Sequence, residues 1–191
     1  MLLNNFLAEL EKQGSENDAK VTERKEKFLN ITRDTGEFLA VLVKATKAQN
    51  ILEIGTSNGY STLWLANSLP ETGNVTTVEA LPHKIAMAKR NFATANLAHK
   101  ISLIESKAVD FFQQLKQQFD IIFLDADRSQ YMLFAAEVIA ALKPGGLLII
   151  DNAVSHESEL ANFIEHIKSQ SIFTTALVPV GKGEFLAYKQ A

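Results

Sequence analysis

Asp125, Asp151 and Asn152 put three side-chain oxygen donors at the ends of what read as two strands, and such a set suits a hard divalent cation. Magnesium favours six oxygens, so three from the protein leave positions for water and for two adjacent oxygens of a substrate. Singly, Asp125 reads as a helix cap and Asp151-Asn152 as a loop cap; their pairing is what points to a cation. A cation there would stabilise a deprotonated hydroxyl and turn a weak nucleophile into an oxyanion near neutral pH.

A second set lies upstream. Residues 51–61 read Ile51-Leu52-Glu53-Ile54-Gly55-Thr56-Ser57-Asn58-Gly59-Tyr60-Ser61, a strand running into a glycine-spaced turn and then a helix. Gly55 and Gly59 are expected to let the backbone turn tightly and approach a ligand where a Cβ would clash. Glu79 follows Gly59 by 20 positions, the separation at which an acid on the neighbouring strand tip accepts hydrogen bonds from two ribose hydroxyls. An adenosine-type ligand is therefore implied. The G-x-x-x-G spacing lacks the middle glycine of G-x-G-x-x-G, which leaves less room for a pyrophosphate and argues against a nicotinamide oxidoreductase. Glu53 is a carboxylate inside a buried strand, costly unless it meets a cation or several donors. A ligand ammonium would satisfy it, and so would a scaffold lysine or backbone amides. Ser61 suits either a ligand carboxylate or a helix cap.

The elements that must position these residues follow from periodicity. Strands are expected near 50–55, 74–79, 101–105, 119–125 and 146–151, alternating with helices, which predicts a parallel sheet covered on both faces. Lys143-Pro144-Gly145-Gly146 reads as a helix end launching the fifth strand. Beyond a helix near 156–169, residues 173–180 and 184–188 flank Gly181-Lys182-Gly183 as a β-hairpin. Upstream, helical spacing predicts amphipathic helices from Leu2 to about Leu10 and from Val21 to Ile31, with a polar break at Gly14 to Asp18, and a third over Asp34 to Thr46. The expected organisation is one domain over 1–191, with helices in 1–46 and the ligand-binding core in 47–191.

Composition narrows the partners. A net charge of −3 supplies no broad cationic field, which removes nucleic acid as an expected partner. The absence of cysteine excludes disulfides, thiolate metal sites and cysteine nucleophiles. No apolar run approaches membrane-spanning length and the first residues do not read as a signal peptide, so a cytoplasmic protein with no membrane partner is expected.

In order, E-I-G-x-x-x-G-Y-S from Glu53, the acid Glu79, Phe123-Leu124-Asp125-Ala126-Asp127, Leu142-Lys143-Pro144-Gly145-Gly146 and Asp151-Asn152 resemble the class I S-adenosylmethionine-dependent methyltransferases. The resemblance is specifically to the cation-dependent O-methyltransferases that include catechol and caffeoyl-CoA O-methyltransferases, and it runs from about Thr32 to the final hairpin. It implies a Rossmann-like, doubly wound, seven-stranded α/β sheet with an antiparallel last strand. It assigns Glu53, Gly55, Thr56, Ser61, Glu79, Ala108 and Asp127 to the S-adenosylmethionine cofactor, with Glu53 and Ser61 at the methionine end, Glu79 at the ribose and Ala108 at the adenine. It assigns Asp125, Asp151 and Asn152 to a divalent cation, with magnesium first, and implies a homodimer and a small catechol-like or vicinal-diol acceptor.

One departure stands out. Family members carry a lysine, assigned as general base, where this chain has Arg128. Arginine stays protonated and cannot take a proton. Metal-assisted ionisation to water, proton acceptance by another group such as His156, and binding of an anionic substrate by Arg128 remain open, and the first and third together are favoured. Asp125 and Arg128 form the expected catalytic set. A metal-independent N- or C-methyltransferase of the same fold and a noncatalytic S-adenosylmethionine-binding protein are the rivals.

Overall fold

The computed structural model describes residues 3–191. The expected helix start at Leu2 lies outside them. Seven strands form one sheet: β1 (Asn50–Ile54), β2 (Asn74–Glu79), β3 (Ile101–Glu105), β4 (Phe119–Leu124), β5 (Leu142–Ile150), β6 (Phe173–Val178) and β7 (Glu184–Lys189). Their order across the sheet is β3-β2-β1-β4-β5-β7-β6. The first five are parallel, and β7 runs antiparallel to both β5 and β6.

β1 and β4 are apolar nearly throughout because both their faces are covered. Ile51, Leu52, Ile54, Ile121, Ile122, Phe123 and Leu124 are each at most 1% exposed. On one face they meet α1 (Leu3–Lys20), α2 (Arg33–Ala45), α3 (Tyr60–Ser68) and α4 (Pro82–Thr94). On the other they meet α5 (Ala108–Gln114), α6 (Ala135–Ala141) and α7 (Glu157–Lys168). Each such Leu, Ile or Phe contributes about 1.5–3 kcal/mol by leaving water. The chain reverses its winding between β1 and β4, so a crevice opens at their carboxyl ends, where ligands bind in sheets of this kind.

Two sequence expectations are corrected. The helix expected over Val21 to Ile31 is a strap with a single 3₁₀ turn at Arg24–Glu26, and α1 runs unbroken through Gly14 to Lys20. The strap folds back because Asp18 accepts from the Phe28 and Leu29 amides at 2.8 and 3.0 Å, and Asn30 donates to the Leu10 carbonyl. Gly14 makes that return possible, since a Cβ there would lie 2.5 Å from the Asn30 amide nitrogen. The second correction concerns Lys143-Pro144-Gly145-Gly146, which lies inside β5 as an irregularity in its pairing with β4. Pairing is kept at Leu142 and resumes at Leu147, so the glycines absorb a register shift and do not end a helix.

Candidate active site

The crevice is a cavity of about 900 Å³ at the carboxyl ends of β1, β2 and β4, closed on one side by the strap. Gly55, Thr56, Ser61, Glu79, Ala108, Asp125, Asp127, Arg128 and Asn152 all line it. Glu53 and Asp151 stand behind its wall.

Both turn glycines have positive φ, 100° at Gly55 and 86° at Gly59. Within the structure each also permits a close approach to protein. A Cβ on Gly55 would lie 2.1 Å from the Asp125 carbonyl oxygen, and one on Gly59 would lie 2.4 Å from the Phe92 ring. Glycine is needed so that the tips of β1 and β4 touch and α3 packs on α4.

Glu79 is locked by backbone donors. Ser57 N–H reaches one carboxylate oxygen at 2.9 Å, and Ala80 and Leu81 N–H reach the other at 2.9 and 3.0 Å. The acid thereby ties the end of β2 to the glycine turn while lining the cavity. Glu53 is satisfied in a way the sequence did not indicate. Ser61 and Thr77 hydroxyls donate to it at 2.6 Å each, and Thr62 donates to the same oxygen as Thr77. Thr77 is bonded in turn to Thr56 at 2.6 Å, so the hydroxyls connect the buried acid to the turn. Burial pushes the Glu53 carboxyl up to about 7 against the pull of these three donors.

Asp127 caps the 3₁₀ turn at Arg128–Phe134, accepting from Ser129 N–H and Oγ–H and from the Gln130 amide. The Ser129 hydroxyl chiefly holds its carboxyl below the usual range. The Ala126 amide donates to the buried Tyr131 hydroxyl at 2.8 Å, which anchors the Asp125–Asp127 loop to the core.

The opposite end of the cavity is less settled. Asp125 and Asp151 lie carboxyl to carboxyl, and burial followed by the Asp151 charge raises the Asp125 carboxyl well above its ordinary value. Neither acid has an ion-pair partner among the described residues. Asn152, at φ 66°, turns its Nδ2 toward both. Among the described residues no three His, Cys, Asp or Glu side chains group as a metal site, so the oxygens here are two carboxylates and an amide.

Glu184, which sequence reasoning missed, backs this pair. It is fully buried and accepts from Thr35 Oγ at 3.3 Å through Oε1, while its Oε2 is buried without a partner. Burial and then the Asp151 charge push its carboxyl up to about 10, so it is protonated at neutral pH. An acid at the inward-facing start of a hairpin strand, beside the buried Phe185, was the available signal.

Arg128 is 7% exposed, and its Nε donates to Glu159 at 3.0 Å. Its Nη2 is buried without a partner. His156 also lines the cavity; burial, then the Arg128, Arg24 and Lys182 charges, hold its imidazole below the usual value. No helix among the described residues is long and apolar enough to cross a membrane.

Residues 4–190 match the family described as O-methyltransferase. A catechol O-methyltransferase of Niastella koreensis is 35% identical over 130 residues, which are 66% of this chain and 59% of that protein. The chain spans less than two thirds of the length of such curated relatives. Among solved structures, an O-methyltransferase of Bacillus cereus in complex with SAH superposes with a TM-score of 0.82 at 26% identity, covering 97% of this chain and 91% of that one. The O-methyltransferase TomG of Streptomyces achromogenes, in complex with SAM, gives a TM-score of 0.83 at 26% identity, covering 97% and 90%.

Proposed function

The chain belongs to the O-methyltransferase family, within its class I S-adenosylmethionine-dependent group, and from that premise we propose that it transfers the methyl group of S-adenosylmethionine to one hydroxyl of a catechol-like or vicinal-diol acceptor with help from a divalent cation. The observation that carries the reading is the meeting of two differently built cavity ends. One presents a fixed ribose-type acid beside a glycine turn, and the other presents paired buried carboxylates with no ion-pair partner among the described residues.

At the donor end, Glu79 has room for ribose hydroxyls beside its three amide donors, and Ala108 begins α5 against the adenine position. Ser61 and the α3 amino terminus face the methionine end, with Glu53 beneath them. At the acceptor end, the donors present fit a hard cation. Asp125 and Asp151 are oxygen ligands of like charge, forced together in a buried setting that a proton or a metal ion relieves. Asn152 would add its Oδ1 after its amide turns over, since Nδ2 now faces the carboxylates and Oδ1 takes the Ser155 hydroxyl. A cation held by Asp125, Asp151 and Asn152 would lower the pKa of an acceptor hydroxyl.

Transfer requires the acceptor oxygen in line with the sulfonium methyl; the oxygen–methyl bond would form as the methyl–sulfur bond breaks, leaving the neutral thioether. Arg128 takes no proton, being a guanidinium fixed by Glu159; the hydroxyl proton passes to water.

Turnover of a catechol panel with S-adenosylmethionine, in magnesium and in chelator, tests the reading. Magnesium-dependent methyl ether formation is expected. Activity that survives chelator would favour metal-independent transfer, and tight S-adenosylmethionine binding without any transfer would favour a noncatalytic protein.

A further inference from the structure

The chain carries 22 acids against 19 bases, yet seven Lys or Arg side chains line the cavity against three Asp or Glu. Those three acids are already engaged: Glu79 by backbone amides, Asp127 by Ser129 and Gln130, and Asp125 by Asn152 and Asp151. S-adenosylmethionine has one carboxylate beside a sulfonium and an ammonium, so it does not account for such a surplus of positive charge.

Three of the seven act together at the acceptor end. Arg24 arrives from the strap, Arg128 from the 3₁₀ turn after β4 and Lys182 from the β6–β7 turn, and all three act on His156 against the single opposing charge of Glu159. The Lys182 carbonyl accepts from the Val154 and Ser155 amides, which fixes that turn against the Asn152 loop. Arg24 also acts on Asp127, across the cavity from the strap. Arg24 and Lys182 are in no ion pair among the described residues. Arg128 is the anchor. It is more than nine-tenths buried, it spends one face on Glu159, and Nη2 has no acceptor. A buried guanidinium N–H left without an acceptor is costly, so an acceptor supplied by a ligand is strongly favoured there.

Resting on the methyl-transfer reading, we propose that the methyl acceptor is itself an anion, a dihydroxyaryl compound whose acidic substituent lies among Arg128, Arg24 and Lys182 while its hydroxyls face Asp125 and Asn152. The chemistry shared by the possible substituents is an oxyanion, either carboxylate or phosphoryl. Arg128 suits it where a lysine would not, because the guanidinium keeps Glu159 with one edge and offers a second edge to the ligand.

The test is calorimetric binding to the full chain loaded with S-adenosylhomocysteine and magnesium, with protocatechuic acid, its uncharged methyl ester and the corresponding dihydroxyphenyl phosphonate as probes. The acid is expected to bind at least about tenfold tighter than the ester at low salt, equivalent to about 1.4 kcal/mol. The gap should narrow as salt rises and shrink in Arg128→Gln and Arg24→Gln. Arg24 belongs to the strap, so its variant serves even if loss of the buried Arg128 prevents folding. Phosphonate tighter than carboxylate would identify a phosphoryl substituent, and the reverse order a carboxylate. An ester bound as tightly as both anions, no binding of any probe, or a preference unchanged in Arg24→Gln overturns the proposal. Preferential binding of the acid without methylation would leave the anion subsite standing and sink the reaction.

Discussion

The two ends of the cavity are built on opposite principles. At the donor end every acid has its partners already: Glu79 has three backbone amides and Glu53 three hydroxyls. At the acceptor end two carboxylates face each other with no ion-pair partner among the described residues, and a buried guanidinium nitrogen has no acceptor. The first end is held by its own hydrogen bonds; the second keeps unmet electrostatic demand that ligands are suited to meet.

Removing a carboxylate from each end sharpens this contrast. Asp125→Ala should lower magnesium-dependent turnover about a thousandfold, the several kcal/mol a cation contributes to oxyanion formation. The same change should leave S-adenosylmethionine affinity within about threefold by calorimetry. Comparable losses of both would mean that the ends are not separable.

The next effect in size belongs to Gly55→Ala, which should destabilise the fold by about 3 kcal/mol in urea unfolding, through the Asp125 carbonyl clash and the positive φ. An effect under about 1 kcal/mol would show that the strand tips can part.

Glu53 breaks the comparison if the donor end is less settled than it looks. Without ligand, its folded carboxyl holds a proton to about pH 7 while the unfolded chain releases it near 4.5. The native state therefore binds the extra proton in that window, and stability falls as pH rises through it, by about 3 kcal/mol in all. Glu53→Gln lacks this decline, so the stability difference between variant and native chain should move in the variant's favour between pH 4.5 and 8. A difference that stays flat would mean that Glu53 is charged throughout.

Smallest is the layer behind the carboxylate pair. Glu184→Ala removes the buried carboxyl that backs Asp151 and should raise the magnesium concentration for half-maximal turnover about tenfold, with Glu184→Gln nearer the native value because its neutral amide keeps the volume. Equal effects of the two variants would remove the backing role.

How much was legible follows the same division. The donor end could be read because its parts are local in sequence: the G-x-x-x-G turn, the strand before it and the acid that ends the next strand. The strand positions and the terminal hairpin were legible for the same reason, through periodicity. The strap was misread because Phe28 and Ile31 keep helical spacing while Asp18 captures the amides that a helix would need. The hydroxyl cage around Glu53 was hidden because Thr77 is supplied by the neighbouring strand. Glu184, Lys182 and Arg24 were hidden for a longer-range version of the same reason. The β6–β7 turn reads as an ordinary hairpin until the antiparallel pairing of β7 with β5 brings it beside the Asn152 loop, and Arg24 reaches the cavity only through the strap's return.

The most direct test is manganese binding, read by electron paramagnetic resonance on the chain loaded with S-adenosylhomocysteine and a catechol. One manganese per chain is expected, displaced by magnesium and lost in Asp125→Ala while S-adenosylhomocysteine stays bound. No bound manganese, or the same stoichiometry in the variant, would contradict a cation held between Asp125 and Asp151.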